Sequence, residues 1–229
     1  YKKRTTYLMK LFKKYGNPPT LLLDAACGTG GFSCEFAKFG IEVIGVDMSE
    51  EMLSIAREKS MNEGRDILFL CQKLEELDLY GTVDGAVCCL DSLNHITDYN
   101  SLCKAIGKIS LFLEKDKLLI FDVNTEYKHK EVLADNIFVI DRDYLYCVWA
   151  NTFTNNKNIT DISLDFFVKE DKLYERFTEQ FSERAYTPEE LQKAIEKAGL
   201  QILNIFEDMT ENPVNEKTER AIYVTRKVK

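Results

Sequence analysis

The sequence lacks any apolar run near the roughly twenty residues that a helix needs to cross a bilayer, and no basic segment followed by an apolar one opens it. The given residues therefore predict neither a membrane-spanning helix nor a secretory signal. We expect a cytoplasmic protein that makes no membrane contact. Since the chain begins with Tyr1 rather than Met, we also expect further residues upstream.

The seven cysteines include no C-x-x-C pair, and several fall in predicted strands, where a free thiol behaves as a small apolar side chain. Disulfides, zinc and other metal centres are therefore not expected. Histidine is scarce, with two residues in the chain. We expect His129, flanked by Lys128 and Lys130, to be kept neutral by the lysine charges and to lie in an exposed loop.

Basic residues are the minority, since 30 Lys and Arg against 38 Asp and Glu leave a net charge of -8. This balance argues against capture of nucleic acid, which needs clustered cations facing the phosphates. One cluster does occur near the start, where helical spacing predicts an amphipathic helix whose basic side we interpret as solvated. Its basic residues are Lys2, Lys3, Arg4, Lys10, Lys13 and Lys14, around the apolar positions Tyr7, Leu8, Leu11 and Phe12.

What the sequence does contain is a short apolar run that breaks into small residues, from Leu21 to Gly31, and a second run that ends at Asp47. The first is typical of a buried parallel strand followed by a tight turn and a helix. In such a turn, glycines let the backbone approach a ligand, and the helix N-terminus offers free N–H groups. An acidic residue about twenty positions later can accept hydrogen bonds from both hydroxyls of a ribose. Together the two segments predict a nucleoside site.

The residues of the turn favour one cofactor over another. A dinucleotide fingerprint requires G-x-G-x-x-G, whereas this turn begins with Ala26 and has its glycines at 28, 30 and 31. Asp24 stands at the end of the first strand, where a carboxylate would repel a pyrophosphate and attract an ammonium group. S-adenosylmethionine carries an ammonium group and a ribose but no phosphate. Asp24 and Asp47 together therefore favour S-adenosylmethionine over NAD.

The segment Asp24-Ala-Ala-Cys-Gly-Thr-Gly30 resembles the first motif of class I S-adenosylmethionine-dependent methyltransferases, which usually reads D-x-G-x-G-x-G. Ala26 replaces the first glycine, a small change that still permits close approach. Asp47-Met48-Ser49 is similar to the family's ribose-binding acid and its adenine-packing neighbour, and the segment from Asp84 to Asn94 is similar to the fourth-strand motif. The resemblance covers residues 20 to 123, and more loosely the rest.

The resemblance implies a set of cofactor contacts. Many relatives carry an acidic residue after the third strand that meets the adenine, but the aligned residue here is Lys73, which cannot accept a hydrogen bond. Either the backbone of Lys73 and Leu74 recognises the adenine, or Gln72 supplies the acceptor. The implied cofactor-binding residues are Asp24, Ala26, Gly28, Gly30, Asp47, Met48, Lys73, Leu74 and Leu90.

Predicted strands and helices alternate through residue 122, which indicates an α/β protein with a mostly parallel, doubly wound sheet. With the resemblance, this implies the Rossmann-like class I methyltransferase fold. The core strands are predicted at 21–24, 42–46, 67–71, 85–89 and 117–122, and the closing strands at 201–206 and 220–226. β-Branched and aromatic runs at 137–140, 144–153, 159–169 and 173–183 predict an antiparallel β insertion.

We therefore divide the chain into a cofactor-binding core with its N-terminal helix at 1–123, the antiparallel insertion at 124–184, and closing elements at 185–229. The last part opens with Thr187-Pro188-Glu189-Glu190, a strong helix start. An insertion beside the carboxyl ends of the strands could cover the reactive methyl group as a substrate cap. It could instead only pack against the core, or form a dimer interface.

Methyl transfer is an in-line displacement at a carbon already activated by the sulfonium, so the protein must mainly align the nucleophile and exclude water. An amine, hydroxyl or acidic carbon also needs a base. Asp91 and His95 follow the fourth strand, where methyl group and acceptor should meet, and are the predicted catalytic residues. Trp149, Arg184 and Tyr186 are the predicted substrate contacts.

The function that we expect is methyl transfer from S-adenosylmethionine to a nitrogen, oxygen or carbon atom of a small molecule. The sequence leaves three alternatives open: an RNA methyltransferase using the basic helix, an NAD-dependent or nucleotide-dependent enzyme, and a non-catalytic module that keeps the cofactor fold.

Overall fold

The computed structural model describes all of residues 1–229, and eleven strands form two sheets. The strands of the larger sheet are β1 (Leu21–Ala25), β2 (Glu42–Asp47), β3 (Leu68–Cys71), β4 (Val83–Cys88), β5 (Leu113–Asn124), β10 (Leu200–Glu207) and β11 (Arg220–Lys227). Their order is β10-β11-β5-β4-β1-β2-β3, in which only β11 runs antiparallel to its neighbours. The predicted mostly parallel α/β sheet is confirmed.

Five helices cover both faces of this sheet: α1 (Lys2–Tyr15), α2 (Gly31–Ala37), α3 (Glu50–Asn62), α4 (Tyr99–Phe112) and α5 (Pro188–Lys197). The alternation of side chains along β1 explains the two faces, because neighbouring residues of a strand point in opposite directions. Leu22 packs in a cluster with α1 and α2, while Leu23 packs in one with α4 and α5. A strand that is buried on both sides reads as the continuous apolar run seen in the sequence.

Two helix starts follow the rules that their sequences suggested. The Ser49 hydroxyl accepts the Met52 N–H group and caps α3. Thr187 and Glu190 exchange hydrogen bonds in a complete capping box at the start of α5. No helix of the structure is both long and apolar enough to cross a membrane.

The second sheet is an antiparallel meander of β6 (Ile137–Arg142), β7 (Leu145–Thr154), β8 (Ile159–Glu170) and β9 (Leu173–Arg184). Asn158 and Asp171 adopt left-handed backbone conformations in the turns on either side of β8, as Asn and Asp readily do. The predicted antiparallel β insertion is therefore confirmed.

Two expectations about the end of the core were wrong. The fifth strand is longer than the predicted 117–122: it begins at Leu113, which pairs with Val83 of β4, and its antiparallel pairing with β11 continues to Asn124. His129 is not in an exposed loop; it is fully buried in a short π-helical segment, Lys128–Leu133. The two polar residues concerned, Asn124 and His129, lie at and just beyond the carboxyl end of β5.

Candidate functional site

The turn after β1 has a left-handed backbone at Ala26, Gly28 and Gly30, with φ of 57°, 53° and 69°. At Gly30 a Cβ atom would lie 2.9 Å from the Cβ of Ala56, so packing against α3 requires glycine as much as the backbone angle does. A left-handed alanine costs about 1 to 2 kcal/mol. Strain of this kind is concentrated at ligand-binding turns, which is consistent with a binding role for Ala26.

Asp47, at the end of β2, ties the turn to the second strand. Its Oδ2 accepts the Gly28 N–H group at 2.8 Å, and its Oδ1 accepts the Ser49 N–H group at 3.0 Å. A carboxylate offers about four lone-pair positions, so each oxygen can still accept a ligand hydroxyl. Asp47 is thus oriented by the backbone and remains available to a diol.

Asp24 lies beneath the turn and is not on the wall of the cavity described below. It is 1% exposed, and the Ser33 hydroxyl donates to its carboxylate at 2.5 Å. Burial raises the pKa of the Asp24 carboxyl group from 3.8 to about 7, a shift that the Ser33 hydrogen bonds reduce. Asp24 can therefore attract a ligand ammonium group electrostatically from beneath the turn, but it does not contact a ligand at the cavity wall.

The turn after β4 is held by charged side chains from two other strands. Leu90 and Asp91 are successive left-handed residues, with φ of 59° and 52°. The Asp122 carboxylate on β5 accepts both of their N–H groups at 2.9 Å. Arg220 on β11 pairs with Asp122 and, at 2.7 Å, with Asp91. This ion pair network, which no local motif indicated, fixes the backbone that faces the site.

The structure separates the two predicted catalytic residues. Asp91 is occupied by Arg220 and by the Asn124 amide, which donates to it at 2.5 Å, and it does not line the cavity. His95 does line the cavity, and 45% of its side chain is exposed. Of the two, only His95 is accessible to a ligand.

A cavity of about 520 Å³ opens where β1, β2 and β4 end, within the usual size range of small-molecule sites. It brings together the predicted residues Ala26, Gly28, Asp47, Met48, Lys73, Leu74, Leu90 and His95. The wall is completed by Tyr1, Cys27, Thr29, Phe32, Met52, Gln72, Glu75, Cys89, Ser92 and Ile96. No group of three or more His, Cys, Asp or Glu side chains in the molecule could hold a metal ion.

The end of the cavity near β3 offers two side chains with acceptor oxygens, Gln72 and Glu75. The Gln72 amide is bonded in both directions to the Asp78 backbone, at 3.1 and 2.9 Å, which fixes its orientation. Glu75 lies two residues beyond Lys73 and lines the cavity, because the chain turns there in a short 3-10 helix. Its carboxylate can accept the hydrogen bond that a lysine cannot.

The three predicted substrate contacts do not line the cavity. The Trp149 indole N–H group donates to Asn151 at 2.6 Å. Arg184 pairs with Glu190 at 2.6 Å, and its guanidinium carbon lies 4.8 Å from the centre of the Tyr186 ring. Tyr186 is only 2% exposed and donates its hydroxyl to a backbone carbonyl group. In this structure the three residues make internal contacts.

A polar cluster behind His95 had no counterpart in the predictions. Glu183, at the end of β9, is 5% exposed, and its carboxylate lies 3.7 Å from the His95 imidazole and 3.8 Å from that of His129. The three residues come from segments far apart in the sequence, so no spacing could have indicated their proximity.

Comparison with known proteins places these features in a family context. A family model described as "Methyltransferase domain" matches residues 22–115. A Bacillus subtilis (strain 168) protein named "Putative methyltransferase YqeM" is 32% identical over 210 residues, which are 91% of this chain and 84% of that protein.

The chain is also similar to solved structures. The crystal structure of an S-adenosylmethionine-dependent methyltransferase from Clostridium acetobutylicum ATCC 824 is 31% identical and has a TM-score of 0.94, covering 100% of this chain and 92% of that one. CalS10, an amino pentose methyltransferase from Micromonospora echinaspora solved with S-adenosylmethionine bound, has a TM-score of 0.79. At 18% identity, over 99% of this chain and 91% of that one, the second match shows a common fold only.

Proposed function

The chain belongs to the class I S-adenosylmethionine-dependent methyltransferases, and we propose that it transfers the methyl group of this cofactor to a nitrogen, oxygen or carbon atom of a small molecule. The observation that carries the proposal is the cavity, which has an oriented Asp47 on one side and an accessible His95 on another. When bound, S-adenosylmethionine supplies a methyl group already activated by its sulfonium.

We assign the cofactor contacts as follows. The backbone of the strained turn, from Ala26 through Gly28 to Gly30, lies against the methionine part together with Leu90, and the buried Asp24 favours its ammonium group electrostatically. The Asp47 carboxylate accepts both ribose hydroxyls. The size of the cavity and the free lone pairs of Asp47 support this fit.

At the adenine end, we assign packing to Met48, which is 67% exposed at the cavity wall, and to Leu74. The exocyclic amino group donates to Glu75, and the backbone of Lys73 and Leu74 contributes the remaining polar contacts. Glu75 thereby takes the role that relatives give to an acid nearer the end of β3.

On the acceptor side, His95 contacts the nucleophile, while Asp91 supports the wall through Arg220. We further propose that the insertion at 124–184 acts as the substrate cap. The His95 ring lies 5.1 Å from the Phe181 ring, so one face of the second sheet begins at the site. Ile162 pairs directly with Phe181, and paired residues of adjacent strands share a face.

The same sheet face suggests what the acceptor looks like. Continuing from Ile162 along β8, Leu164 and Phe166 lie on that face, since alternate residues of a strand point the same way. Phe177 of β9, which pairs with Phe166, extends it. We therefore propose an acceptor that has an apolar part next to its nucleophilic atom.

The net charge of -8 favours a small molecule over RNA. On the basic helix α1, Arg4 is held in ion pairs with Asp208 and Asp122, and Lys14 pairs with Glu211. These two of its six basic residues are therefore not free to face phosphates. A cytoplasmic location belongs to the same proposal and is supported by cysteines that are mostly buried as apolar packing residues.

Isothermal titration calorimetry tests the proposal. S-adenosylmethionine and S-adenosylhomocysteine should both bind, and Asp47→Ala should weaken both by about 100-fold, since two hydrogen bonds to a charged group are lost. Asp66→Ala, which removes an exposed carboxylate, is the matched control and should bind like the wild type. No binding of either ligand at millimolar concentration would contradict the proposed function. A screen of amines, alcohols and phenols for formation of S-adenosylhomocysteine then identifies the acceptor.

A further inference from the structure

Glu183 is held between two histidines at the edge of the cavity. Its Oε1 lies 3.7 Å from the Nε2 of His95, and its Oε2 lies 3.8 Å from the Nε2 of His129. The Asn124 amide donates to Oε2 at 3.2 Å. His95 therefore turns its Nε2 atom towards the buried carboxylate, and its Nδ1 atom is the nitrogen left for a ligand.

The side chain of His129 turns its unpartnered ring nitrogen towards Glu183. It is fully buried, and its Nδ1 is 2.8 Å from the Thr160 hydroxyl, while its Nε2 is buried with no hydrogen-bond partner. An orphaned ring nitrogen is costly unless a small movement brings it to a hydrogen-bond partner. The nearest carboxylate is that of Glu183, whose second oxygen would then be bonded by Asn124 and His129, leaving the first oxygen for His95.

Burial keeps both imidazoles neutral and makes the carboxyl group titrate near neutrality. Burial raises the pKa of Glu183 to about 7, and Asp91 raises it further, while Asn124, Arg220 and Lys128 lower it. Burial also lowers the pKa of His95, against the opposing charges of Asp91 and Asp47, and lowers that of His129 to about 4. A neutral imidazole beside a carboxylate is the arrangement of a general base and the group that orients it.

We propose that Glu183 positions His95, so that its Nδ1 takes the proton from a methyl acceptor whose nucleophilic atom carries a hydrogen, as in an alcohol, a phenol or an amine. This inference rests on the proposed function and assigns roles to Glu183 and His129 that the sequence did not indicate. Glu183 is a positioning residue here, and His95 is the residue that meets the substrate.

The step balances without any further reactant. The lone pair of the acceptor atom forms the bond to the methyl carbon, the bond from that carbon to sulfur breaks, and its electron pair stays on sulfur. The acceptor proton moves to the Nδ1 of His95, and the resulting imidazolium is stabilised by the Glu183 carboxylate through Nε2–H. Since 45% of the His95 side chain is exposed, the proton can leave to solvent.

Nitrogen NMR of protein labelled with ¹⁵N-histidine, saturated with S-adenosylhomocysteine, tests the positioning. The chain has only two histidines, so His129→Gln assigns every ring signal by subtraction. We expect His95 in the wild type to carry its proton on Nε2, with Nδ1 bare, and its shifts to respond to the ionisation of Glu183 near pH 7. Glu183→Gln should remove that response and leave one step at lower pH.

Glu175→Gln is the matched control, because this residue is an exposed glutamate near the opposite end of the same strand. It should leave the His95 titration unchanged. The proposal is overturned if His95 in the wild type carries its proton on Nδ1, or if the titration of the His95 signals is the same in Glu183→Gln as in the wild type. The wild-type measurement decides the tautomer even if Glu183→Gln does not fold.

Turnover tests the proton transfer separately. With any acceptor found in the screen, Glu183→Gln should lower kcat by roughly 100-fold, the lower range for general base catalysis, and leave the dissociation constant for S-adenosylhomocysteine unchanged. An unchanged kcat in Glu183→Gln, or an equal loss of kcat with a thioether acceptor, which has no proton to lose, would refute the role of His95. If the wild type does not bind S-adenosylhomocysteine, this result instead counts against the proposed function itself.

Discussion

Replacing Asp24 with asparagine should stabilise the protein without ligand at alkaline pH. The carboxyl group is 1% exposed near the carboxyl end of β1, and its pKa is raised from 3.8 in the unfolded chain to about 7 in the fold, chiefly by burial. Below pH 3.8 both states hold the proton. Between pH 3.8 and pH 7 the unfolded chain ionises first, so stability falls as the pH rises, and above pH 7 the full cost of the buried charge is present.

The size of the effect follows from the shift. About three pKa units correspond to about 4 kcal/mol, which is an upper limit for the gain on removing the charge. Asparagine brings an amide that only Ser33 can partner, and an unsatisfied buried polar group costs about 1 to 3 kcal/mol. We therefore expect Asp24→Asn to be more stable by about 2 kcal/mol at pH 8, and no more stable than the wild type at pH 4.

Urea unfolding of both proteins at several values between pH 4 and pH 8 measures this difference. Asp66→Asn, which changes an exposed aspartate, controls for the altered net charge. The reasoning is refuted if the difference in unfolding free energy between Asp24→Asn and wild type does not grow with pH, or if the variant is less stable at pH 8. In calorimetry, the more stable variant should bind S-adenosylmethionine more weakly, since the charge that favours the ammonium group is gone.

Three further outcomes follow from single contacts. Ala26→Gly relieves a left-handed alanine and should raise the free energy of unfolding by about 0.5 kcal/mol in urea titrations, because the strain of 1 to 2 kcal/mol is partly offset by the entropy of glycine in the unfolded chain; a loss of stability would contradict the strain. Arg220→Met leaves Asp91 without a cationic partner and Asp122 with Arg4 alone, and should lower the unfolding free energy by about 3 kcal/mol at pH 7; a loss below 1 kcal/mol would mean that the network is solvated. Thr187→Ala removes the capping box of α5 and should cost about 1 kcal/mol in thermal unfolding, whereas Thr187→Ser should restore most of it.

Much of the core could be predicted because its signals are local. The apolar run at β1, the small residues after it and the acid at the end of β2 each depend on neighbours in the chain, and the structure has them where they were expected. The helix that begins after Thr187 could equally be predicted from the sequence, since its cap, proline and acidic residues lie within one turn. Turns and helix starts require particular residue types in any fold, so these features can be recognised from the sequence.

The residues on the acceptor side of the cavity were predicted less well, because their surroundings depend on residues that are distant in the chain. Asp91 and His95 are four residues apart and looked equivalent in the sequence, yet one is occupied by Arg220 of β11 and the other is exposed in the cavity. Trp149 and Tyr186 were expected to be substrate contacts, but both have internal hydrogen-bond partners. The Trp149 indole bonds to Asn151 of the same strand, and the Tyr186 hydroxyl bonds to the carbonyl group of Ile96, which is distant in the chain.

The sequence by itself determined the parallel sheet, the turn after β1 and the acid at the end of β2, because each is a pattern of adjacent residues whose backbone and charge can be interpreted in place. Only the tertiary structure decided which polar side chains face the cavity and which are neutralised behind it. Glu183, His129 and Arg220 reach the site from strands and a helical segment that are distant in the chain. Their partners and burial depend on sheet order and on the packing of the insertion, which no local sequence pattern specifies.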